Sequence, residues 1–590
     1  MAKKIKISKM LSNLTWSVKN VFNYNRVYFA CLCINSVLDG FVPVVALIII
    51  QRVIDAIQYH TDNIQNIIKL IVILTIFELV SQLLQIFTQL KIENYELEFD
   101  SYFHEKILRK ISLLDCKDFE NSKTYNLINR TQYDANVGIL GSIKIIFSLI
   151  STAISSISYI IIIFKYSIVI FLIVIILPIV RYFFEKRYNI IEYDIEKNNT
   201  ELSRRSSYIS YLLTNSEHFK EIKIFHLFNF FIDRYQRIRK QCNNDLIKVH
   251  NKRALSNGIL YILEAFIDFI ITLSILLKAF NNIISIGAFV LYSNSIDNLK
   301  SNIVSLFSQI SYLYKNSAMI EQIREFFDMN NENIQEDGIV IENIKSIELI
   351  GVSYKYYRQT EYALNNINIK IEAGETLVFM GYNGSGKSTL MKIIMGIYND
   401  YEGEIFVNGI NRKKINLKSY RDRVSVLFQD YIKYETNIYE NISYGNLTNT
   451  SEELIDETMK KVCLQNLKNL KNQQLGYQFN KGLQLSVGQW QKIAVGRSII
   501  GTSDLYIFDE PNSSIDLKSE SIMLNTIIND SNDKIKLFII HRFNKIVEKA
   551  ELIITLRDGK IMEKGSHQQL IHNKGLYYEL YSLQKEIIKP

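Results

Sequence analysis

The sequence predicts a two-part protein, in which a helical bundle that crosses a membrane precedes a soluble α/β domain with a mainly parallel sheet. Three observations lead to this fold class. The first half of the 590 residues contains six apolar runs of membrane-spanning length. After about residue 330, short β-rich runs alternate with amphipathic helical patterns. The mean hydropathy of +0.03 is too polar for a chain that lies wholly in lipid.

The membrane half is defined by these apolar runs and the charge between them. The runs span roughly 27–50, 67–90, 143–164, 166–185, 257–279 and 287–312, and the last is the least hydrophobic. The long connections 91–144 and 181–255 are rich in Lys and Arg, whereas the short connections carry few basic residues. The positive-inside rule therefore predicts that both termini and both long connections lie in the cytoplasm. We expect the long connections to extend the membrane helices well past the bilayer.

The change of pattern also predicts the domain boundaries. We expect a cytoplasmic N-terminal segment at 1–26, a membrane domain at 27–328, a linker at 329–345 and a soluble domain at 346–590. The N-terminal segment lacks the pattern of a cleaved secretion signal. The five cysteines form no CxxC pair, which argues against a disulfide framework or a zinc site. Membrane lipid is an expected partner and nucleic acid is not.

A phosphate-binding loop opens the soluble domain. The segment GYNGSGKS begins at Gly381 and fits GxxxxGK[ST], between the strand TLVFM and a helical run. Backbone N–H groups of such a loop surround phosphates, Lys387 reaches the β- and γ-phosphates, and the hydroxyl of Ser388 binds Mg²⁺. The residues predicted to bind the nucleotide here are Gly381, Asn383, Gly384, Ser385, Gly386, Lys387, Ser388 and Thr389.

Two acids and a histidine follow later strands of the same domain. Asp509 and Glu510 come at the end of the buried run LYIF, where open α/β sheets place their ligands. We predict that Asp509 holds Mg²⁺ through water and that Glu510 polarises the attacking water. His541 ends the apolar run KLFII and is predicted to contact the γ-phosphate.

With these motifs in this order, residues 346–575 resemble the nucleotide-binding domain of an ABC (ATP-binding cassette) transporter. The resemblance implies ATP and Mg²⁺ as cofactors. It implies that Tyr356 stacks on adenine, with Tyr354 and Tyr357 as alternatives, and that Gln429 bridges Mg²⁺ and the membrane domain. Further family positions are the signature sequence at Leu485–Gln489 and the D-loop at Ser514–Asp516.

The resemblance also implies a dimer. In ABC proteins the signature turn faces the phosphate loop of the partner subunit, so Ser486, Gly488 and Gln489 would contact the nucleotide of the other chain. Asp516 of the D-loop is also predicted to bind the nucleotide. Since one chain supplies every part of both sites, a homodimer is the economical expectation, and a heterodimer remains open. Three positions depart from the commonest pattern, and they are Val487, Asn512 and Ile540. We expect these to reduce the rate at most.

Six membrane helices before one such domain resemble an exporter-type ABC half-transporter. Residues near Phe119–Tyr125 and near Asn215–Lys223 occupy the places of its coupling helices. The phrase GLQLSVGQWQK resembles bacterial exporters of modified bacteriocins, including lantibiotics, and we expect no peptidase domain before the first helix. This resemblance favours export of a peptide or small amphipathic substrate across the bacterial cytoplasmic membrane. The alternatives are a multidrug or lipid exporter, an exporter-fold importer and a non-transporting regulatory subunit.

Polar residues within the membrane runs bear on the substrate. The sixth run carries Asn294, Asn298, Asn302, Ser305 and Gln309 on one helical face, a pattern that predicts the lining of a wet cavity. Acids lie within or near four runs, at Asp39, Glu78, Glu264 and Asp268. A buried carboxylate is costly unless it is paired or hydrated. These acids therefore indicate either an acidic cavity for a cationic substrate or hydrogen-bonded packing.

Overall fold

A computed structural model describes residues 7–59, 63–332, 337–356, 359–448, 450–511, 515–529, 533–543 and 545–588. The chain forms two compact units. The first comprises Met1–Leu114 and Ser122–Asn330, and the second comprises Asp115–Asn121 and Asn331–Pro590. Seven residues between helices of the first unit therefore pack with the second unit.

All regular secondary structure in the described residues of the first unit is helical. In chain order, the helices before residue 330 are α1 (Ile7–Tyr24), α2 (Arg26–Tyr59), α3 (Ile64–Ser112), α4 (Cys116–Phe119), α5 (Ser122–Tyr166), α6 (Ile168–Asn198), α7 (Thr200–Thr214), α8 (Ser216–Ile224), α9 (Leu227–Phe280) and α10 (Ile286–Phe327). Of these, α4 belongs to the second unit. The predicted long extensions are present, because α3 has 49 residues and α9 has 54, far more than a bilayer requires.

Five of the described helices are long and apolar enough to cross a membrane. These candidates are α2, α3, α9 and the segments Val137–Tyr166 of α5 and Ile168–Glu196 of α6. The sixth predicted span coincides with α10, which is a continuous helix but more polar than the other five. Its polarity is explained by the neighbours of its polar face.

The polar face of α10 is bound to α5. Asn302 donates a hydrogen bond to Ser155 Oγ at 2.8 Å, and Gln309 donates to Ser148 Oγ at 3.0 Å and to Thr152 Oγ1 at 3.3 Å. Such bonds between helices satisfy polar groups inside a membrane. Asn302 and Gln309 thus have partners on α5 while both side chains stay half-buried, and the cavity lining remains a prediction.

Most of the predicted intramembrane acids also have partners. Asp39 accepts a hydrogen bond from Gln85 at 2.8 Å. Glu264 on α9 lies 3.4 Å from the guanidinium of Arg181 on α6. Asp268 contacts the ammonium of Lys300 on α10. For these three acids the structure favours paired packing over an acidic cavity.

The second unit is an α/β domain with two sheets. Its strands are β1 (Ser346–Tyr354), β2 (Leu364–Glu372), β3 (Thr376–Gly381), β4 (Glu402–Val407), β5 (Ile410–Asn411), β6 (Val424–Leu427), β7 (Leu505–Asp509), β8 (Ile535–Ile539), β9 (Leu552–Arg557) and β10 (Lys560–Gly565). One sheet has the order β2-β1-β4-β5 and is antiparallel, and the other has the order β10-β9-β3-β8-β7-β6. Strands β9, β3, β8, β7 and β6 run parallel.

Helices complete the second unit. They are α11 (Lys387–Ile394), α12 (Leu417–Arg421), α13 (Ile438–Ser443), α14 (Glu452–Lys461), α15 (Val487–Ile499), α16 (Leu517–Asn529), α17 (Lys545–Lys549), α18 (His567–Asn573) and α19 (Leu576–Ile588). The central strands β3, β7 and β8 are almost fully buried, as the continuous apolar runs predict for a parallel sheet. Their carboxyl ends meet at one edge of the sheet, and the phosphate loop, Asp509, Glu510 and His541 lie there.

Candidate nucleotide-binding and hydrolysis site

The loop between β3 and α11 has the backbone that phosphate binding requires. Gly384 and Gly386 adopt φ values of +80° and +101°, which residues with a Cβ rarely adopt. A Cβ on Gly386 would lie 2.6 Å from the carbonyl oxygen of Ala363. The space beside Gly384 is open to 4 Å, and Asn383 next to it is exposed. The loop thus offers backbone N–H groups to an anion at the start of a helix.

Lys387 begins α11 and is folded against this loop. Its ammonium donates hydrogen bonds to the carbonyl oxygens of Gly381 at 2.9 Å and Tyr382 at 3.0 Å, and lies 3.4 Å from Ser385 Oγ. Burial lowers the pKa of Lys387, and the carboxylates of Asp509 and Glu510 act in the opposite direction. Because the ammonium is already desolvated, phosphate binding would add little to the desolvation free energy of Lys387.

Ser388 and Asp509 face each other across the same edge of the sheet. Ser388 Oγ lies 3.4 Å from Asp509 Oδ2. Burial and the neighbouring Glu510 raise the pKa of Asp509 to about 6. A half-buried carboxylate beside a hydroxyl is an all-oxygen donor set, which is what Mg²⁺ prefers. Among the described residues no cluster of three His, Cys, Asp or Glu could hold a metal alone, so Mg²⁺ here would need phosphate oxygens as well.

Glu510 and His541 form the second pair. Nε2 of His541 lies 3.1 Å from Oε1 of Glu510. Glu510 has φ +48°, an uncommon conformation for this residue type, and its N–H donates to the carbonyl of Ile539 at 3.1 Å. Burial and the nearby Lys387 lower the pKa of His541. A lowered pKa favours the neutral imidazole, whose N–H can donate a hydrogen bond to the carboxylate.

Sequence reasoning missed two glutamines that hold this pair. Gln491 Nε2 donates to the carbonyl oxygen of Glu510 at 3.2 Å, and Gln584 Nε2 donates to that of His541 at 2.6 Å. Gln491 lies two residues after the signature glutamine Gln489, so the signature motif could have been used to predict a role for Gln491. Gln584 comes from α19, and nothing in the local sequence indicates its contact.

The predicted adenine contact lies beside the phosphate loop. Tyr356 Oη and Thr389 Oγ1 share a hydrogen bond of 2.8 Å, which connects the end of β1 to α11. The alternative Tyr354 is buried in the core and stacked on Tyr398, with 5.1 Å between ring centroids. Tyr354 is thus poorly placed to meet a base. The other alternative, Tyr357, lies outside the described residues.

Gln429 follows β6 at the same edge of the sheet and is exposed. Its side chain makes no hydrogen bond with any residue that the structure describes. Leu427 of β6 pairs with Phe508 of β7 in the parallel sheet, so the loop that carries Gln429 begins beside the strand end that carries Asp509. The structure therefore brings Gln429 to the region of Asp509 without a direct contact.

The signature turn begins α15. Ser486 caps the helix by accepting a hydrogen bond from the N–H of Gln489 at 3.2 Å, and Gln489 Oε1 accepts one from the N–H of Ser486 at 2.8 Å. This capping box leaves the N–H of Gly488 unused by the helix. Over the described part of the chain, no hydrogen bond or ion pair joins the turn to Lys387 or Ser388.

Asp516 is connected to the signature helix. Its Oδ1 accepts a hydrogen bond from the N–H of Ser519 at 2.9 Å, and its Oδ2 lies 3.5 Å from the ammonium of Lys492 on α15. The Ser519 amide and Lys492 lower the pKa of Asp516 to about 2. Two other predicted positions, Asn512 and Ser514, lie outside the described residues.

The remaining unusual positions differ in their exposure. Val487 replaces a glycine of the common signature sequence, and its side chain is 56% exposed at the first turn of α15. No packing conflict arises there. Ile540 precedes His541 and is buried in the core that surrounds α15.

Comparison with known proteins agrees with this geometry. The chain matches the ABC transporter family over residues 364–513 and the ABC transporter transmembrane region over residues 27–297. It is 30% identical to the nisin transport ATP-binding protein NisT of Lactococcus lactis subsp. lactis over 586 residues, covering 97% of this chain and 96% of that protein. It is 29% identical to the subtilin transport ATP-binding protein SpaT of Bacillus subtilis over 577 residues, covering 97% and 94%.

Two more distant similarities are weaker: one spans less of the sequence, and the other is limited to the fold. The chain is 25% identical to the ATP-dependent lipid A-core flippase of Escherichia coli (strain K12) over 475 residues, covering 79% of this chain and 80% of that protein. A solved bacterial Atm1-family ABC exporter with ATP bound has the same fold, with a TM-score of 0.73 at 18% identity, over 95% of this chain and 98% of the other.

The helical membrane unit and the phosphate-loop domain define an ATPase of the membrane-transporter class. The chain belongs to the ABC transporter family. It is an exporter-type half-transporter, a multi-pass membrane protein that hydrolyses ATP. The resemblance inferred from the sequence motifs is thereby confirmed.

Proposed function

We propose that this protein exports a modified, cationic peptide across the bacterial cytoplasmic membrane, as a homodimer with both termini in the cytoplasm. The observation that carries the proposal is similarity over nearly the whole chain to two proteins named for nisin and subtilin transport. The tryptophan after the signature glutamine, Trp490, supports the same class of exporter. Basic residues in the long connections support the orientation.

Hydrolysis would use the residues gathered at the sheet edge. Lys387 and the loop N–H groups hold the β- and γ-phosphates, and Tyr356 stacks on the base. Glu510 accepts the proton of the attacking water, while His541 holds that carboxylate in place and contacts the γ-phosphate. Ser388, Asp509 and Gln429 would hold Mg²⁺, which when bound neutralises charge on the phosphates.

The unused signature turn supports the dimer. Ser486, Gly488 and Gln489 present an anion site at the start of α15 that no described residue of the same chain uses. The ATP bound to a second copy supplies the phosphate for this turn. Each ATP would therefore lie between the phosphate loop of one chain and the signature turn of the other. ATP binding would then close the two soluble domains and open the membrane unit outward.

The paired acids refine the substrate proposal. Because Arg181 neutralises Glu264 and Lys300 neutralises Asp268, these acids do not form a purely acidic surface. Asp297 on α10 is exposed and makes no ion pair with any described residue. Because an unpaired charge is costly in lipid, we expect this carboxylate to face the substrate pathway. It is therefore the best candidate in α10 to meet a cationic group of the peptide.

Export of a lipid or a multidrug-type compound is the second candidate. It is favoured by the 25% identity to a lipid A-core flippase over most of both chains. It would require no cationic group on the substrate.

The ATPase mechanism is tested with two variants in lipid nanodiscs. We expect Glu510→Gln to bind ATP within about twofold of the parent but to lose turnover by about 100-fold or more, the usual contribution of a general base. We expect Lys387→Ala to weaken ATP binding by about 10-fold or more, because a charged hydrogen bond to phosphate is lost. Lys370→Ala, at an exposed position of strand β2, is the matched lysine control. Normal turnover in Glu510→Gln would contradict the mechanism.

A further inference from the structure

Tyr431 connects two motifs that serve different nucleotides in the proposed dimer. Its hydroxyl donates a hydrogen bond to the carbonyl oxygen of Val487 at 3.2 Å. Tyr431 lies two residues after Gln429, at the nucleotide of its own chain. Val487 lies between Ser486 and Gly488, in the turn that would face the nucleotide of the partner.

The atom that Tyr431 contacts is informative. The carbonyl of Val487 and the N–H of Gly488 belong to one peptide unit, which is planar, so fixing the direction of one fixes the other. Gly488 is in the first turn of α15, where N–H groups have no partner within the helix. A hydrogen bond to the Val487 oxygen therefore orients the N–H that would meet the partner's γ-phosphate.

The loop that carries Tyr431 is also held at the other end of α15. The guanidinium of Arg497 donates to the carbonyl oxygen of Ile432 at 3.3 and 3.2 Å, and Nε donates to that of Asn441 at 3.0 Å. The same guanidinium lies 4.5 Å from the ring centroid of Tyr434. Burial is substantial enough to lower the pKa of Arg497. The loop thus follows α15 from its first turn to its last.

The Tyr431 side chain is itself well seated. Its ring packs against the buried cluster that contains Trp490 and Ile493 of α15, and burial raises the pKa of its hydroxyl. The hydroxyl therefore remains a donor at physiological pH. Removing it leaves the ring packing intact and deletes one hydrogen bond.

We infer that Tyr431 is a positioning residue that couples the two ATP sites of the dimer, transmitting the state of Gln429 at one nucleotide to the Val487–Gly488 peptide at the other. The inference rests on the proposed ATP-sandwich homodimer. A shift of the Gln429 loop on nucleotide binding would move Tyr431 and reorient the Gly488 N–H. Each site would then bind ATP more tightly when the other is filled, which is a coupling free energy between sites.

The test measures the Hill coefficient for ATP binding in nanodiscs. It compares Glu510→Gln, which is the parent in this test, with the double variant that also carries Tyr431→Phe. We expect a coefficient well above 1 in the parent, toward the limit of 2 for two sites, and a fall toward 1 in the variant. Tyr439→Phe is the control. That tyrosine packs on the same buried cluster, and its hydroxyl makes no hydrogen bond with a residue in the described ranges.

A parent Hill coefficient of 1, or an equal coefficient in Tyr431→Phe, would overturn the inference. Loss of cooperativity in Tyr439→Phe to the same degree would also overturn it, since packing alone would then explain the effect. Turnover of the unmutated protein distinguishes a failure of the proposed function from a failure of the role inferred for Tyr431. If it equals that of Glu510→Gln, the proposed function fails, whereas normal turnover with unchanged cooperativity refutes only the role of Tyr431.

Discussion

The hydroxyl of Tyr398 donates a hydrogen bond of 2.5 Å to the carboxylate of Glu120. Lys392 on α11 completes the group, with its ammonium 3.7 Å from Glu120 and 3.2 Å from Tyr398 Oη. Glu120 belongs to the segment Asp115–Asn121, which packs within the second unit. The ring of Tyr398 also meets Tyr356 edge-on, at 5.9 Å between centroids. One contact group thus joins this segment to the helix of the phosphate loop and to the predicted adenine contact.

Loss of the Glu120 carboxylate should weaken communication between the nucleotide and this segment. We expect Glu120→Ala to keep ATP binding within about twofold while the stimulation of turnover by substrate falls severalfold. The exposed ion pair with Lys392 is worth at most about 1 kcal/mol, so the effect should come mainly from the hydrogen bond to Tyr398. ATPase assays with and without substrate measure it. Glu105→Ala, which removes an ion pair within α3, should leave stimulation unchanged. Equal loss in both variants would refute a specific role for Glu120.

The Asp268–Lys300 pair between α9 and α10 should matter for stability. Removing one charge leaves the other poorly solvated inside the membrane unit, which costs more than removing both. We expect Lys300→Met to lower the melting temperature in detergent by several degrees, and Asp268→Asn with Lys300→Met to recover much of the loss. A double variant that is less stable than Lys300→Met would contradict this account.

The raised pKa of Asp509 predicts a pH dependence of stability. Folding raises this pKa from an ordinary 3.8 to about 6, so between these values the folded protein binds more protons than the unfolded chain. The contribution of Asp509 to stability therefore falls as the pH rises through this window and is least favourable above it. Without Mg²⁺ and nucleotide, the melting temperature of Asp509→Asn relative to the parent should rise between about pH 4 and pH 6.5.

A control for this pH effect comes from Asp516, whose pKa is lowered to about 2. Its contribution is complete above the ordinary value of 3.8, so the difference between Asp516→Asn and the parent should be constant over the same range. A flat difference for Asp509→Asn would show that this carboxylate is not perturbed.

Motifs with fixed spacing were predictable from the sequence. The phosphate loop at Gly381–Ser388 and the acids at the end of β7 depend on consecutive residues, and the structure gathers them at one edge of the sheet. The helices were predictable because lipid demands length and apolarity. The same rule does not tell which partners the polar groups inside the helices bind. Asn302 and Gln309 have the period of a cavity lining, yet they bind α5.

Contacts between distant segments were not predictable. Lys300 and Asp268 lie on different helices, and the register that joins them is set by helix packing. Gln584 reaches His541 from α19, and Glu120 reaches Tyr398 from the other half of the chain. None of these residues has a local pattern that distinguishes it from a solvated polar side chain. Only the folded chain identifies them.

The central claim, ATP-driven peptide export, is tested most directly by ATPase turnover in lipid nanodiscs with a panel of cationic peptides, hydrophobic drugs and lipids. Glu510→Gln serves as the blank. The account predicts turnover above this blank that cationic peptides stimulate in a saturable manner and that drugs and lipids leave unchanged. Turnover that responds to drugs or lipids but not to peptides would contradict peptide export and favour the second candidate.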